Sequence, residues 1–207
     1  MERRLPYAFQ KIKISVSENK MLFLLILLGL ISWNLYFSTH FVGLEAPDAM
    51  DDAALSRNIA DGKGFVASSE LPYRLSFNVD YPLPELRRPL LQPLITSFFF
   101  KIFGVSDFVA IIPSSLFYLL TIPLMYFLSE KLFNRKVAVT ASLIYIFHPE
   151  ILYYATSGLT EPLFWFLFTL SFYLLIKTHS PKSFLLLGIV LGLAALTRDV
   201  GKFFFVG

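Results

Sequence analysis

Two uninterrupted apolar stretches, residues 21–37 and 108–128, constrain the fold of this chain more than any other feature of its sequence. Each is long enough to cross the hydrocarbon core of a bilayer as an α-helix, which takes roughly 17 to 25 residues. Backbone groups find no hydrogen-bond partner in lipid, so such stretches must be helical. The composition agrees, since 56% of the residues are hydrophobic and 16% are charged. The sequence therefore predicts an all-α, polytopic membrane protein.

Further apolar segments raise the predicted number of transmembrane helices to about five. The third begins at residue 137 but meets His148 and Pro149 after eleven residues. At about 1.5 Å per residue it spans roughly half a bilayer, so we expect a broken segment. The fourth and fifth predicted spans cover residues 159–176 and 183–196.

The distribution of lysine and arginine predicts the orientation of these spans. Residues 1–20 contain five of these basic residues and residues 129–136 contain three, whereas residues 148–160 contain none. By the positive-inside rule the N-terminus is cytoplasmic, and residues 40–107 form the first outer loop. We treat residues 1–207 as a single membrane domain. A net charge of +3 without a basic stripe predicts no nucleic-acid partner.

The first outer loop, residues 40–107, is too long to be a simple connector, and its sequence predicts two amphipathic helices at the membrane interface. The first covers residues 47–61 and begins with a proline, which suits the first helical position. Asp48, Asp51 and Asp52 follow near the N-terminus, where the helix dipole favours anions. Their spacing of three and four places the carboxylates on one face of the helix.

The second amphipathic helix is predicted over residues 89–103, with one apolar side that would lie along the membrane or dip into it. Residues 68–85, between the two helices, contain three prolines and are predicted to be irregular, as a mobile cover over a site. Because loops held by a rigid scaffold commonly carry function, we expect the functional site in this outer loop.

Four motifs follow one another along the chain. They are Asp48 followed by Ser56-Arg57-Asn58 and Ala60-Asp-Gly-Lys-Gly-Phe65, then Arg88-Pro-Leu-Leu-Gln-Pro-Leu94, Tyr153-Tyr to Leu159-Thr-Glu-Pro162, and Leu191-Gly-Leu-Ala-Ala-Leu-Thr-Arg198. In this order the motifs resemble the C-type integral-membrane glycosyltransferases. That family uses lipid-phosphate-linked sugars and includes protein O-mannosyltransferases and the bacterial transferases that add aminoarabinose to lipid A. The resemblance covers most of residues 20–202.

The resemblance implies a role for each matching residue. Asp48 corresponds to the catalytic base, which takes the proton of the acceptor hydroxyl while polyprenyl phosphate leaves. Arg88 is the first candidate for binding the lipid phosphate and Arg198 the second, since a guanidinium meets phosphate oxygens with two parallel hydrogen bonds. Arg87 and Lys101 are predicted to be ordinary anchors near lipid headgroups.

Glu161 and Asp51 are the candidates for positioning the acceptor or a metal. Many relatives carry a glutamate directly after the catalytic aspartate, whereas this chain has Ala49, so any task of that acid is either absent here or passed to Asp51. Some relatives bind a divalent cation and others need none. Asp48 and Glu161 are therefore the candidate ligands of a Mg²⁺ or Mn²⁺ ion, whose requirement the sequence leaves open. The implied partners are a polyprenyl-phosphate sugar donor, membrane lipids, and a protein, lipid or glycan acceptor.

The predicted function is a glycosyltransferase that acts at the outer membrane face with Asp48 as general base. No Walker-type loop or nucleotide-binding glycine fingerprint occurs, which argues against a nucleotide-sugar donor. Two alternatives stay open. Broken helices also suit a transporter or flippase, and because relatives are longer, the chain could be a catalytically silent, lipid-phosphate-binding subunit. A structural role is also possible for three of the candidate site residues. They could stabilise a helix end or anchor it at the membrane interface, and they are Asp48, Glu161 and Arg198.

Overall fold

The fold is all-helical, as predicted. A computed structural model describes residues 7–67, 84–85, 87–177 and 180–198, with side chains described from residue 20 onward. Within these ranges the only strand-like feature is an isolated bridge between Val66 and Pro84. The described residues form eight helices: α1 (Tyr7–His40), α2 (Pro47–Ala60), α3 (Leu91–Phe103), α4 (Asp107–Leu132), α5 (Arg135–Phe147), α6 (Pro149–Thr156), α7 (Glu161–Lys177) and α8 (Pro181–Ala195).

Two helices in the described part of the chain are long and apolar enough to cross a membrane, α4 and the Lys20–His40 part of α1. Helices α5 and α6 make a third span if they are counted together. They bend by 58° around His148, which confirms the predicted break. The bend follows from Pro149, whose ring fits a new helix start but not the interior of a continuing helix.

Helices α7 and α8 contain 17 and 15 residues. At 1.5 Å per residue they extend about 25 and 22 Å, less than the roughly 30 Å of a bilayer core. The number of five transmembrane helices therefore stays a prediction.

Helix α4 lies at the centre and packs against α1, α3, α5, α6 and α7. The largest buried cluster includes Leu25 of α1, Tyr118 and Ile122 of α4, and Ile146 of α5. A second cluster joins α7 and α8. This packing fixes the helix ends from which the site is built.

The segments predicted to be outer loops meet at one end of the bundle. Helix α2 ends one residue before its predicted limit, and Gly62 follows with a φ of 77° that suits glycine. Helix α3 starts at Leu91, two residues later than predicted, and the Leu91 N–H donates to the carbonyl of Leu196. The predicted irregular segment falls mostly on residues 68–83, which lie outside the described residues.

A chain of buried side chains connects three helices below this end. The Gln92 amide of α3 donates to the Ser114 hydroxyl of α4 at 3.2 Å, and Ser114 donates to the carbonyl of Leu159 at 2.8 Å. Ser115 likewise donates to the carbonyl of Ala155 at 2.8 Å. These bonds hold the turn between α6 and α7 against α4.

Candidate functional site

A cavity of about 360 Å³ opens where α2, the residues before α3, the α6–α7 turn and the end of α8 meet. It brings together four of the five predicted site residues although they lie far apart in sequence. The polar and charged residues that line it are Asp48, Asp52, Arg87, Arg88, Thr160, Glu161, Thr197 and Arg198.

Arg88 lies among three carboxylates of α2. Its Nη2 donates to Asp48 Oδ1 at 2.9 Å and to Asp51 Oδ2 at 2.7 Å. Its Nη1 donates to Asp52 Oδ1 and to the backbone carbonyl of Asp48, both at 3.3 Å. The predicted one-sided arrangement of the carboxylates is thus present, and it surrounds a guanidinium.

Asp52 is an acidic site residue that sequence reasoning did not single out. It lies on the predicted carboxylate face, four residues after Asp48, but its spacing gave no reason to rank it above its neighbours. Its side chain is only 7% exposed. Burial raises the pKa of Asp52 to about 7, against the opposing charge of Arg88. Near neutral pH this carboxyl group therefore holds its proton for much of the time.

The pKa of Arg88 is also shifted. Burial lowers it, but the hydrogen bond to Asp48 and the charges of Asp52 and Asp51 together outweigh burial and raise it above its usual range. Arg88 therefore remains a permanent cation in the α2 cluster. Arg87 lines the same cavity, and its Nε lies 3.6 Å from Glu85 Oε1. The sequence had assigned this residue to lipid headgroups.

Asp48 and Asp51 line different cavities. The side chain of Asp48 is 76% exposed at the first turn of α2 and lines the main cavity. Asp51 lines a smaller cavity of about 90 Å³ together with Ala67 and Glu85, and it is absent from the lining of the main one. The structure therefore brings Asp48, and not Asp51, into one cavity with Glu161.

Glu161 begins α7 and pairs through Oε1 with Nη1 of Arg198, which follows α8. The same Nη1 donates to the Thr160 hydroxyl at 3.3 Å. The second carboxylate oxygen of Glu161, Oε2, is buried and has no hydrogen-bond partner among the described residues. Glu161 and Arg198 thus form a second carboxylate–guanidinium pair in the cavity.

Gly158 allows the α6–α7 turn to approach α2 closely. Its φ is 74°, in the left-handed region that disfavours other residues. A Cβ at this position would lie 3.1 Å from Leu44 and 3.7 Å from the Cβ of Ala49, the neighbour of Asp48. Glycine therefore suits this turn, which packs against Leu44 and Ala49 next to Asp48.

The described side chains do not form a cation-binding cluster. Across the described ranges no three His, Cys, Asp or Glu side chains lie close enough to hold a metal ion. The centre of the α2 carboxylates is taken by Arg88, and Glu161 is paired with Arg198. A metal held by Asp48 and Glu161 stays a prediction.

A comparison of the sequence with models of protein families identifies the family of this chain. A family model described as dolichyl-phosphate-mannose-protein mannosyltransferase matches residues 87–206, more than half of the 207 residues. The match includes Arg88, Glu161 and Arg198 and begins after Asp48. No match was found among curated proteins or among solved structures. The chain belongs to the dolichyl-phosphate-mannose-protein mannosyltransferase family of C-type membrane glycosyltransferases.

Proposed function

We propose that this membrane glycosyltransferase moves a sugar from a polyprenyl-phosphate donor to an acceptor hydroxyl at the non-cytoplasmic face, with Asp48 as general base. One observation carries the proposal. The cavity combines an exposed carboxylate, Asp48, with guanidinium groups from two separate parts of the chain, Arg88 before α3 and Arg198 after α8.

This combination suits the chemistry of sugar transfer from a lipid phosphate. The acceptor oxygen bonds to the anomeric carbon while the bond from that carbon to the phosphate oxygen breaks, and its electron pair leaves with polyprenyl phosphate. Asp48 takes the proton from the acceptor hydroxyl. The cations offset the negative charge that develops on the departing phosphate.

The hydrogen bonds in the cavity favour Arg198 over Arg88 as the main phosphate contact, which reverses the order expected from sequence. The two Nη groups of Arg88 already make four bonds, to three carboxylates and a carbonyl. The bonds of Arg198 to described side chains use only Nη1. Since a guanidinium carries five N–H groups, Arg198 has Nε and Nη2 without a partner among the described residues, and we assign them to a phosphate. Arg88 then orients Asp48.

Transfer measured with a base variant tests the proposal. Membranes containing the chain are incubated with radiolabelled polyprenyl-phosphate sugars, with and without a chelator of divalent cations. We expect Asp48→Asn to lower kcat about 100-fold or more. Asp61→Asn is the matched control, because Asp61 lies beyond the end of the same helix and pairs with Lys63 at the surface.

Three results would contradict the proposal. Full activity of Asp48→Asn would remove the assigned base. Donor binding without transfer would favour the silent-subunit alternative, and movement of a solute without transfer would favour a transporter. Loss of activity on chelation would instead support the predicted divalent cation.

The proposed membrane face is tested separately by labelling. The chain has no cysteine, so a single Lys63→Cys substitution introduces a unique thiol at an exposed position just after α2. In intact cells we expect a membrane-impermeant maleimide to label Lys63→Cys and not Lys136→Cys, which lies in the predicted cytoplasmic turn. The opposite labelling pattern would place Asp48 on the wrong side for an outer-face transferase.

A further inference from the structure

The Glu161 carboxylate is incompletely satisfied. Oε1 pairs with Arg198, whereas Oε2 is buried without a hydrogen-bond partner in the described part of the chain. A buried charged acceptor that lacks a hydrogen-bond partner destabilises the structure, so a donor that reaches it is bound favourably. Glu161 lines the open cavity, so a ligand there can supply the missing donor once the carboxylate turns Oε2 toward the cavity.

The neighbouring side chain identifies the kind of donor. Thr160 Oγ1 accepts from Arg198, which leaves its hydroxyl hydrogen for another partner. Glu161 and Thr160, which share Nη1 of Arg198 as a partner and line the same cavity, therefore offer one acceptor and one donor. A sugar hydroxyl complements both, since it donates through its hydrogen and accepts through its oxygen.

A metal ion fits the position next to Glu161 and Thr160 less well than a sugar hydroxyl does. The charge of Glu161 is already balanced by Arg198, whose guanidinium would repel a nearby cation. A divalent cation such as Mg²⁺ also needs several oxygen ligands, and among the described residues no group of three acidic or histidine side chains supplies them.

We infer that Glu161 Oε2 and Thr160 Oγ1 bind one hydroxyl of the sugar in the lipid-phosphate donor and thereby set which sugars the enzyme accepts. This inference rests on the proposed function, in which Nε and Nη2 of Arg198 hold the donor phosphate. The sugar joined to that phosphate then lies next to the partner of Arg198, which is Glu161. A site built to bond a hydroxyl rejects an analogue that lacks it, because its own polar groups are left unpaired.

Donor analogues test the inference. The probes are polyprenyl-phosphate mannose, its 2-, 3-, 4- and 6-deoxy derivatives, and polyprenyl phosphate without a sugar. For the wild type we expect one deoxy donor to bind about 10- to 100-fold more weakly than the parent. In Glu161→Gln and Thr160→Val we expect that difference to shrink to about threefold or less. Binding of sugar-free polyprenyl phosphate reports the Arg198 contact and should not weaken.

Glu150→Gln is the matched control, since Glu150 also lies in the first turn of a helix but is exposed and outside the cavity. It should keep the discrimination of the wild type. Melting temperatures of all variants verify that they are folded. The conservative variant Glu161→Asp should retain part of the discrimination among donors that Glu161→Gln loses.

Binding separates failure of this inference from failure of the proposed function. If donors bind with Glu161-dependent discrimination but no sugar is transferred, the proposed function fails and the inference stands. If Glu161→Gln still discriminates among the donors, the inference is wrong even where transfer occurs. Two further results would overturn the inference. One is that the variants change the discrimination among deoxy acceptors and not among deoxy donors, and the other is that a chelator of divalent cations abolishes the discrimination among donors.

Discussion

The burial of Asp52 leads to a prediction about how the stability of this protein depends on pH. The pKa of Asp52 rises from 3.8 to about 7 because the folded protein removes the carboxyl group from water. That rise corresponds to about 4 kcal/mol between the two protonation states. The ion pair with Arg88 is too weak to cancel the effect of burial. The charged form of Asp52 therefore destabilises the folded state.

The sign follows from proton binding. Between about pH 4 and pH 7 the folded protein holds a proton on Asp52 that the unfolded chain releases, so this contribution to stability decreases as the pH rises. It is fully present below about pH 4 and is lost as the pH passes through 7. Asp52→Asn resembles the protonated form. We expect the variant to equal the wild type at pH 4 and to exceed it by up to about 4 kcal/mol at pH 8.

Thermal unfolding in detergent, followed by tryptophan fluorescence between pH 4 and pH 8.5, measures this difference. For a chain of this size about 4 kcal/mol corresponds to a shift on the order of 10 °C. Asp61→Asn, which alters a more exposed carboxylate after the same helix, should follow the wild type at every pH. A variant Asp52→Asn that melts below the wild type at pH 8 would refute the reasoning, because the Arg88 ion pair would then outweigh burial.

Three further substitutions test the contacts around the cavity. Arg88→Met leaves Asp52 without its cation, so we expect a loss of about 3 kcal/mol at pH 8 and a smaller loss at pH 5 by the same melting assay. Gly158→Ala forces alanine to a positive φ at about 1–2 kcal/mol and should reduce transfer, whereas Gly188→Ala, with no atom near its Cβ, should preserve it. Ser114→Ala removes a buried donor and should lower the free energy of unfolding by about 1 kcal/mol in a denaturant titration.

Much of the helical architecture was predictable from the sequence because it depends on local properties. Apolar length predicted the first two spans, and a proline after a short segment predicted the break at His148. The spacing of Asp48, Asp51 and Asp52 predicted a one-sided carboxylate face. Each of these features is set by hydropathy, helical period or proline geometry within about twenty residues of chain.

The candidate site was predictable only as a set of residues. Sequence motifs selected Asp48, Arg88, Glu161 and Arg198, and all four line one cavity. The burial of Asp52, which distinguishes it from Asp48 and Asp51, was not predictable from the sequence. It depends on the segments that pack over α2 and not on the neighbours of Asp52 in the sequence. The number of spans also stayed open, since apolar composition alone does not fix where α7 and α8 begin and end.

The sequence by itself thus determined that this is a helical membrane protein of a sugar-transferring family, with acidic and basic residues at the ends of its helices. Only the tertiary structure decided which of those charges meet. Arg88 pairs with carboxylates 36 to 40 residues away, and Arg198, which follows α8, pairs with Glu161 of α7. Such pairings depend on how α2, α7 and α8 pack around α4, because a side chain's partner and its exposure to water are properties of the assembled helices and not of the local sequence.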